Sequence, residues 1–131
     1  METLPQAIEF MFMLAFLVLG CSHAMTAQAW VDFFARLREQ GEAGIFTVAF
    51  ITLIPGLLIV SFHPVWTGIP IVLTLIGWGY VLKGAVYFVW PKVGLMVLAK
   101  PSAQSPAHVR IAGVIMIVLA AALGLSLLTG W

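Results

Sequence analysis

His63-Pro64-Val65-Trp66-Thr67-Gly68-Ile69-Pro70 lies at the centre of 40 residues, Ala43 to Leu82, that contain no Asp, Glu, Lys or Arg. That run is about twice the roughly 20 apolar residues a helix needs to cross the hydrocarbon core. The prolines and glycine at its middle break helical pattern on both sides, so the run reads as two spans joined by a tight turn. Working outward, Phe10 to Val31 is a second charge-free stretch of 22 residues and Ile111 to Trp131 a third of 21, each long enough for one span. The span after the turn continues past Lys83 to Trp90, where Pro91-Lys92 ends it. The expected fold is a single all-α membrane domain over residues 1–131, a four-transmembrane-helix bundle with spans at about 6–23, 43–62, 67–90 and 108–129.

Composition agrees with this. Apolar residues make up 63% of the chain and charged residues 8%, with a net charge of +1 and a mean hydropathy of +1.12. Soluble domains carry about 25% charged residues. Nucleic acid is excluded as a partner, because six scattered Lys and Arg cannot form a phosphate-neutralising stripe. The expected surroundings are a lipid bilayer.

Loop charge sets the expected orientation. Arg36 and Arg38 lie between the first two spans, and Lys92, Lys100 and Arg110 between the last two, while the N-terminal segment and the His63 turn hold no Lys or Arg. Basic residues collect on the cytoplasmic side, which places both termini and the turn outside. Val18-Leu19-Gly20-Cys21 loosely matches a lipobox and Ala27-Gln28-Ala29 a signal-peptidase site. A secretory signal opens on a positive segment, whereas Glu2 and Glu9 stand here, so the first helix is expected to be retained. Cys21 has no second cysteine to pair with.

Trp30, Phe33, Phe34 and Leu37 repeat at helical spacing, opposite Gln28, Asp32, Arg36 and Glu39. This predicts an amphipathic interfacial helix over about 26–40, capped by Thr26, supported by an Asp32–Arg36 pair and stopped by Gly41. Its apolar face is either a docking surface or an anchor for the loop. Val93 to Ala99 is a second apolar stretch, too short to cross, and Pro101 to Ala107 is expected to be polar and flexible.

An ionisable group at membrane depth costs about 2.5–3.5 kcal/mol on insertion scales. Glu9 and Lys83 are the two within spans. Tyr80, Lys83 and Tyr87 share one helical face, expected to turn into the bundle as a substrate, ion or proton position; the alternative is that Lys83 snorkels to the interface. Glu9 and His63 fall at equal depth near the outer end. They either pair as a proton-binding site, or Glu9 reaches headgroup water while His63 caps the turn with Pro64. Glu9 and Lys83 are too far apart axially to pair. His23 and His108 read as interfacial, and Met11, Met13, Met25, Met96 and Met116 lack ligand spacing, so neither cofactor nor metal is expected. Pro55-Gly56 predicts a kink in the second span, with Thr52 satisfying the freed Ile51 carbonyl. Gly77, Gly79 and Gly84, and Gly113, Ala120 and Gly124, supply small faces for close helix contact, within the chain or between protomers.

The segments Phe62-His63-Pro64-Val65-Trp66, Thr74-Leu75-Ile76-Gly77-Trp78, Lys83-Gly84 and Trp90-Pro91 resemble the central part of small four-span bacterial inner-membrane proteins, over about a third of the chain. The resemblance implies a bacterial inner-membrane address and brings no activity. No catalytic constellation is visible. The leading reading is a non-enzymatic accessory, assembly or small-subunit protein acting through packing, as a homo-oligomer or within a larger complex. The alternatives are a small oligomeric transporter or channel using Glu9, His63, Tyr80 and Lys83, and a membrane redox or lipid-modifying enzyme using His23, His63 or His108.

Overall fold

Each stretch expected to be helical holds a helix in the computed structural model, which describes residues 3–130. The helices are α1 (Leu4–Met25), α2 (Ala27–Glu39), α3 (Glu42–Phe62), α4 (Ile71–Val89), α5 (Pro91–Leu98) and α6 (Pro106–Thr129), with a 3-10 turn at Pro101–Gln104. Of these, α1, α3, α4 and α6 are long and apolar enough to cross a membrane. The protein is an all-α, multi-pass membrane bundle.

Starts and stops follow local chemistry. Thr3 and Gln6 form a reciprocal capping box at the head of α1. Gly41, at φ 63°, lets the chain turn between α2 and α3, and Gly68, at φ 70°, does so before α4. The third span accordingly begins at Ile71 instead of about residue 67. Its first amide bonds run from Ile71 to the Gly68 carbonyl (3.3 Å) and from Leu73 to the Pro70 carbonyl (3.0 Å), so the turn is closed before the helix opens.

The spans pack as two antiparallel pairs, α1 with α6 and α3 with α4, and small residues set both contacts. A Cβ built on Gly113 meets the Gly20 carbonyl oxygen at 2.6 Å, and one on Gly56 meets the Val81 nitrogen at 2.8 Å. The small face of α6 is therefore used inside the chain, against α1. Gly77 and Gly84 face Ile59 and Leu53 of α3, whereas Gly79 points away from the pair with nothing within 4 Å. Gly79 is five residues from Gly84, about 140° away when the helix turns by 100° per residue; the seven-residue spacing of Gly77 and Gly84 returns to within about 20° and keeps register. The pairs meet through Ile8, Phe12, Phe16, Ile59, Leu73 and Leu123.

The opposite end is closed by α2 and α5. Leu37, Ile45, Ala49, Tyr87 and Leu98 form a second core there, and Arg38 donates to the Leu98 carbonyl at 3.2 Å. Several local expectations are corrected. Thr26 makes no side-chain cap to α2; its hydroxyl donates back to the Ser22 carbonyl at 2.6 Å, because a threonine ending one helix reaches its own preceding turn more easily. Asp32 accepts from Gln28 Nε2 at 2.9 Å instead of pairing with Arg36. Thr52 donates to the Val48 carbonyl at 2.8 Å, not to Ile51, since a helical side chain leans toward the preceding turn. Pro101–Gln104, within the polar connector, forms a 3-10 turn, with Gln104 Nε2 donating to the Ala99 carbonyl at 3.0 Å.

Candidate functional site

Glu9 sits in the second turn of α1, His63 follows the last residue of α3, and Thr74 lies in the first turn of α4. Pro64 forbids helical conformation at the residue before it, and His63 leaves the helix at φ −132°, ψ 62° while its amide still donates to the Ile59 carbonyl at 2.8 Å. That exit turns the imidazole inward between α1 and α4. His63 Nε2 stands 2.8 Å from Glu9 Oε1, and Nδ1 stands 2.9 Å from Thr74 Oγ1. Thr74 Oγ1 donates to the Val65 carbonyl at 2.6 Å, with the His63 carbonyl also in reach at 3.2 Å.

All three side chains are buried: His63 and Thr74 are 0% exposed and Glu9 4%. Glu9 is therefore withdrawn from headgroup water, and of the two readings of Glu9 and His63 the geometry is that of the pair. Each span pair contributes, Glu9 from α1 and His63 with Thr74 from the α3–α4 hairpin, so the array clasps the two pairs at one end of the bundle. Burial excludes competing water, which strengthens each bond and makes a missing partner costly. Beside the array opens a cleft of about 430 Å³ lined by Gln6, Glu9, Val65, Thr67, Gly68, Pro70, Ser126 and Gly130. On the other side Ile8, Phe12, Phe16, Ile59 and Leu73 close it with apolar surface.

The remaining candidates lie elsewhere. Lys83 is exposed on α4 and does not turn into the bundle; its amine stands 5.5 Å from the centre of the Tyr87 ring. The face of α4 that meets α3 is the glycine face, which leaves the long side chain outside. Tyr87 is buried in the core at the α2–α5 end, and Tyr80 is half-buried beside Gly56. Pro55 lies inside an unbroken α3, and Gly56 lets α4 approach it.

On α2, Leu37 is 4% exposed and packs inside the protein, so it is lost to any docking surface. Phe34 packs against the same core, because α2 folds back onto α3 and α5. Trp30 stacks on His23 with ring centres 4.0 Å apart and donates from Nε1 to Ser22 Oγ at 2.9 Å. Phe33 alone of the four is exposed.

His23 is buried, with Nδ1 2.7 Å from the Leu19 carbonyl, which makes that nitrogen a donor to the helix's own backbone. His108 is exposed on the first turn of α6. No group of three or more His, Cys, Asp or Glu with metal-binding proximity occurs among the described residues.

Thr74 is the site residue that sequence reasoning passes over. The available signal is positional: a hydroxyl in the first turn of a span, just after a hairpin that opens on histidine, has no water to satisfy it and must bond within the protein. No family model, curated protein or solved structure matches the chain.

Proposed function

We propose that the protein acts by helix packing, as an accessory, assembly or small-subunit protein of the bacterial inner membrane, with both termini and the Glu9–His63–Thr74 clasp on the outer side. The orientation rests on Arg36, Arg38, Lys92, Lys100 and Arg110, which all fall at the α2–α5 end of the bundle.

One observation supports the packing reading above the others: the polar array ends blind. Ile8 and Leu73 lie at its level, and Phe12, Phe16 and Ile59 lie immediately inward of it. Tyr80 and Lys83 lie on α4 beyond that layer, with Lys83 facing outward. A conducting route through one chain needs these groups in a continuous polar line, and apolar side chains interrupt it. A closed array between two helix pairs fixes their arrangement, which is what a subunit recognised by shape requires. The exposed face of α4, with Leu75, Trp78 and Leu82, presents the broad apolar surface and free glycine a neighbouring helix can pack on.

The test is a photo-crosslinking residue at Leu82, activated in native membranes, with a native mass measurement on the same preparation. The expected result is one discrete protein–protein adduct and a matching oligomer or complex. A monomer crosslinked only to lipid refutes the reading. In parallel, proteoliposomes are expected to show no ion or proton flux that Glu9→Gln or Lys83→Met alters.

A further inference from the structure

We propose that Glu9 and His63 hold one shared proton between Oε1 and Nε2, and exchange it with the outer face alone through the Gln6–Thr67–Ser126 cleft. The proton assignment is independent of the packing role, since it follows from bond directions within the array; the side named as outer rests on the orientation proposed above.

A threonine hydroxyl has one proton to donate. Thr74 directs it to the Val65 carbonyl at 2.6 Å, so toward His63 the same oxygen is an acceptor. Nδ1, 2.9 Å away, must therefore carry hydrogen. With Nδ1 protonated, a neutral imidazole presents a lone pair at Nε2, and Glu9 Oε1 lies 2.8 Å from it. Two bare acceptors do not occupy that distance in a buried site. A second proton lies between them, on the carboxyl as a neutral pair or on the imidazole as an ion pair, and in both forms the array has no net charge. Removing that proton sets a carboxylate against a lone pair and leaves a net negative charge among apolar side chains. The site therefore binds a single proton, and Thr74 decides which nitrogen takes part.

Other groups facing the array are Gln6 on α1, Thr67 in the turn and Ser126 on α6. None of them titrates. Lys83 lies nine residues beyond Thr74 along α4, roughly 13 Å further inward. The direction of exchange follows from the other carboxylate oxygen. Glu9 uses Oε1 for its bond to His63, and no buried side-chain oxygen or nitrogen among the described residues lacks a partner. Oε2 thus keeps contact with the cleft, which Glu9 lines. Inward, the side chains that follow along α1 and α3 are Phe12, Phe16 and Ile59, none of which carries a group that relays a proton.

Solid-state NMR of protein with 15N-labelled histidine, in liposomes, reads the proton positions, with His63→Gln identifying the signal. The expected spectrum has His63 Nδ1 as an N–H nitrogen. Thr74→Val is expected to move the hydrogen to Nε2, and Thr74→Ser to restore the original pattern. An unprotonated Nδ1 in the unaltered protein, or the same tautomer in Thr74→Val, overturns the assignment. For sidedness, Gln6→Cys in a Cys21→Ser background is treated with a membrane-impermeant thiol reagent in right-side-out and inverted vesicles. Labelling from the outer side only, with slowed deuterium exchange of the His63 proton after labelling, is expected. Labelling from the inner side, or exchange unchanged by it, refutes the one-sided port.

Discussion

Replacing Gly113 by alanine tests the close backbone approach of α1 and α6. The added methyl would lie 2.6 Å from the Gly20 carbonyl oxygen, 2.8 Å from the Ala24 nitrogen and 2.8 Å from His23 Cβ. Favourable contact begins near 3.5 Å, so the backbones of α1 and α6 must separate by several tenths of an ångström to about 1 Å. Neither the Gly20 nor the Ala24 atom can rotate aside, because both belong to helix backbone. Overpacking of this kind costs about 1–3 kcal/mol, against a helix-propensity gain of at most about 1 kcal/mol for Gly to Ala. Gly79 supplies the control: a methyl there meets nothing within 4 Å, so only the propensity term remains. Reversible unfolding in mixed detergent–lipid micelles should then rank Gly79→Ala above Gly113→Ala by about 1.5 kcal/mol or more, roughly tenfold in the equilibrium constant. Equal stabilities would mean that α1 and α6 do not cross at Gly20 and Gly113, and the pairing scheme would fail with them.

Three further outcomes follow from the same structure. His63→Ala leaves Glu9 buried without its partner and should cost about 3–5 kcal/mol, while the Glu9→Leu/His63→Leu double variant should recover most of that loss in the same unfolding assay. Lys83→Met should change stability by less than about 1 kcal/mol, since the residue lies on the exposed face of α4 and its amine contacts the Tyr87 ring. Trp30→Leu removes the stack on His23 and the bond to Ser22; hydrogen exchange should rise through α2 and leave the α3–α4 pair unchanged.

Charge-free stretches revealed the span number because bilayer thickness leaves a helix little choice of length. Proline and glycine punctuation located the turns to within a few residues, and erred at Ile71 because Gly68 and Pro70 close a turn of their own before α4 begins. The Glu9–His63 juxtaposition was legible from depth alone: each lies one or two turns from the same end. Which face a residue takes was much less legible. Tyr80 and Tyr87 lie with Gly77 and Gly84 on the stripe that meets α3, beside Gly56 and in the core with Ile45 and Ala49, whereas Lys83, one residue before Gly84 and so about 100° around the helix, falls outside it. In a chain apolar all round, hydrophobic periodicity carries almost no facing information, so close backbone contacts decide it. The same reason hid the second role of α2: Leu37 reads as membrane-facing by amphipathicity and is instead core, because α5 folds beneath it.

These facts bear on why a buried polar array stands where it does. In lipid, apolar helix faces gain little from choosing one another over acyl chains, so the contact between the α1–α6 and α3–α4 pairs cannot be selected by hydrophobicity. Their apolar fit is also incomplete: a gap of about 40 Å³ remains between Phe16, Leu73, Ile76, Leu119 and Leu123. A directional bond discriminates where surface matching does not. Sliding one pair along the other by a single helical turn moves Glu9 about 5.4 Å from His63, which breaks a 2.8 Å contact outright and strands both groups in an apolar layer. Neighbouring registers are thereby penalised far more heavily than the native one is stabilised. On this account the clasp contributes mainly specificity, and its two ionisable groups are tolerated inside the membrane because they pair with each other, with Thr74 satisfying the remaining histidine nitrogen.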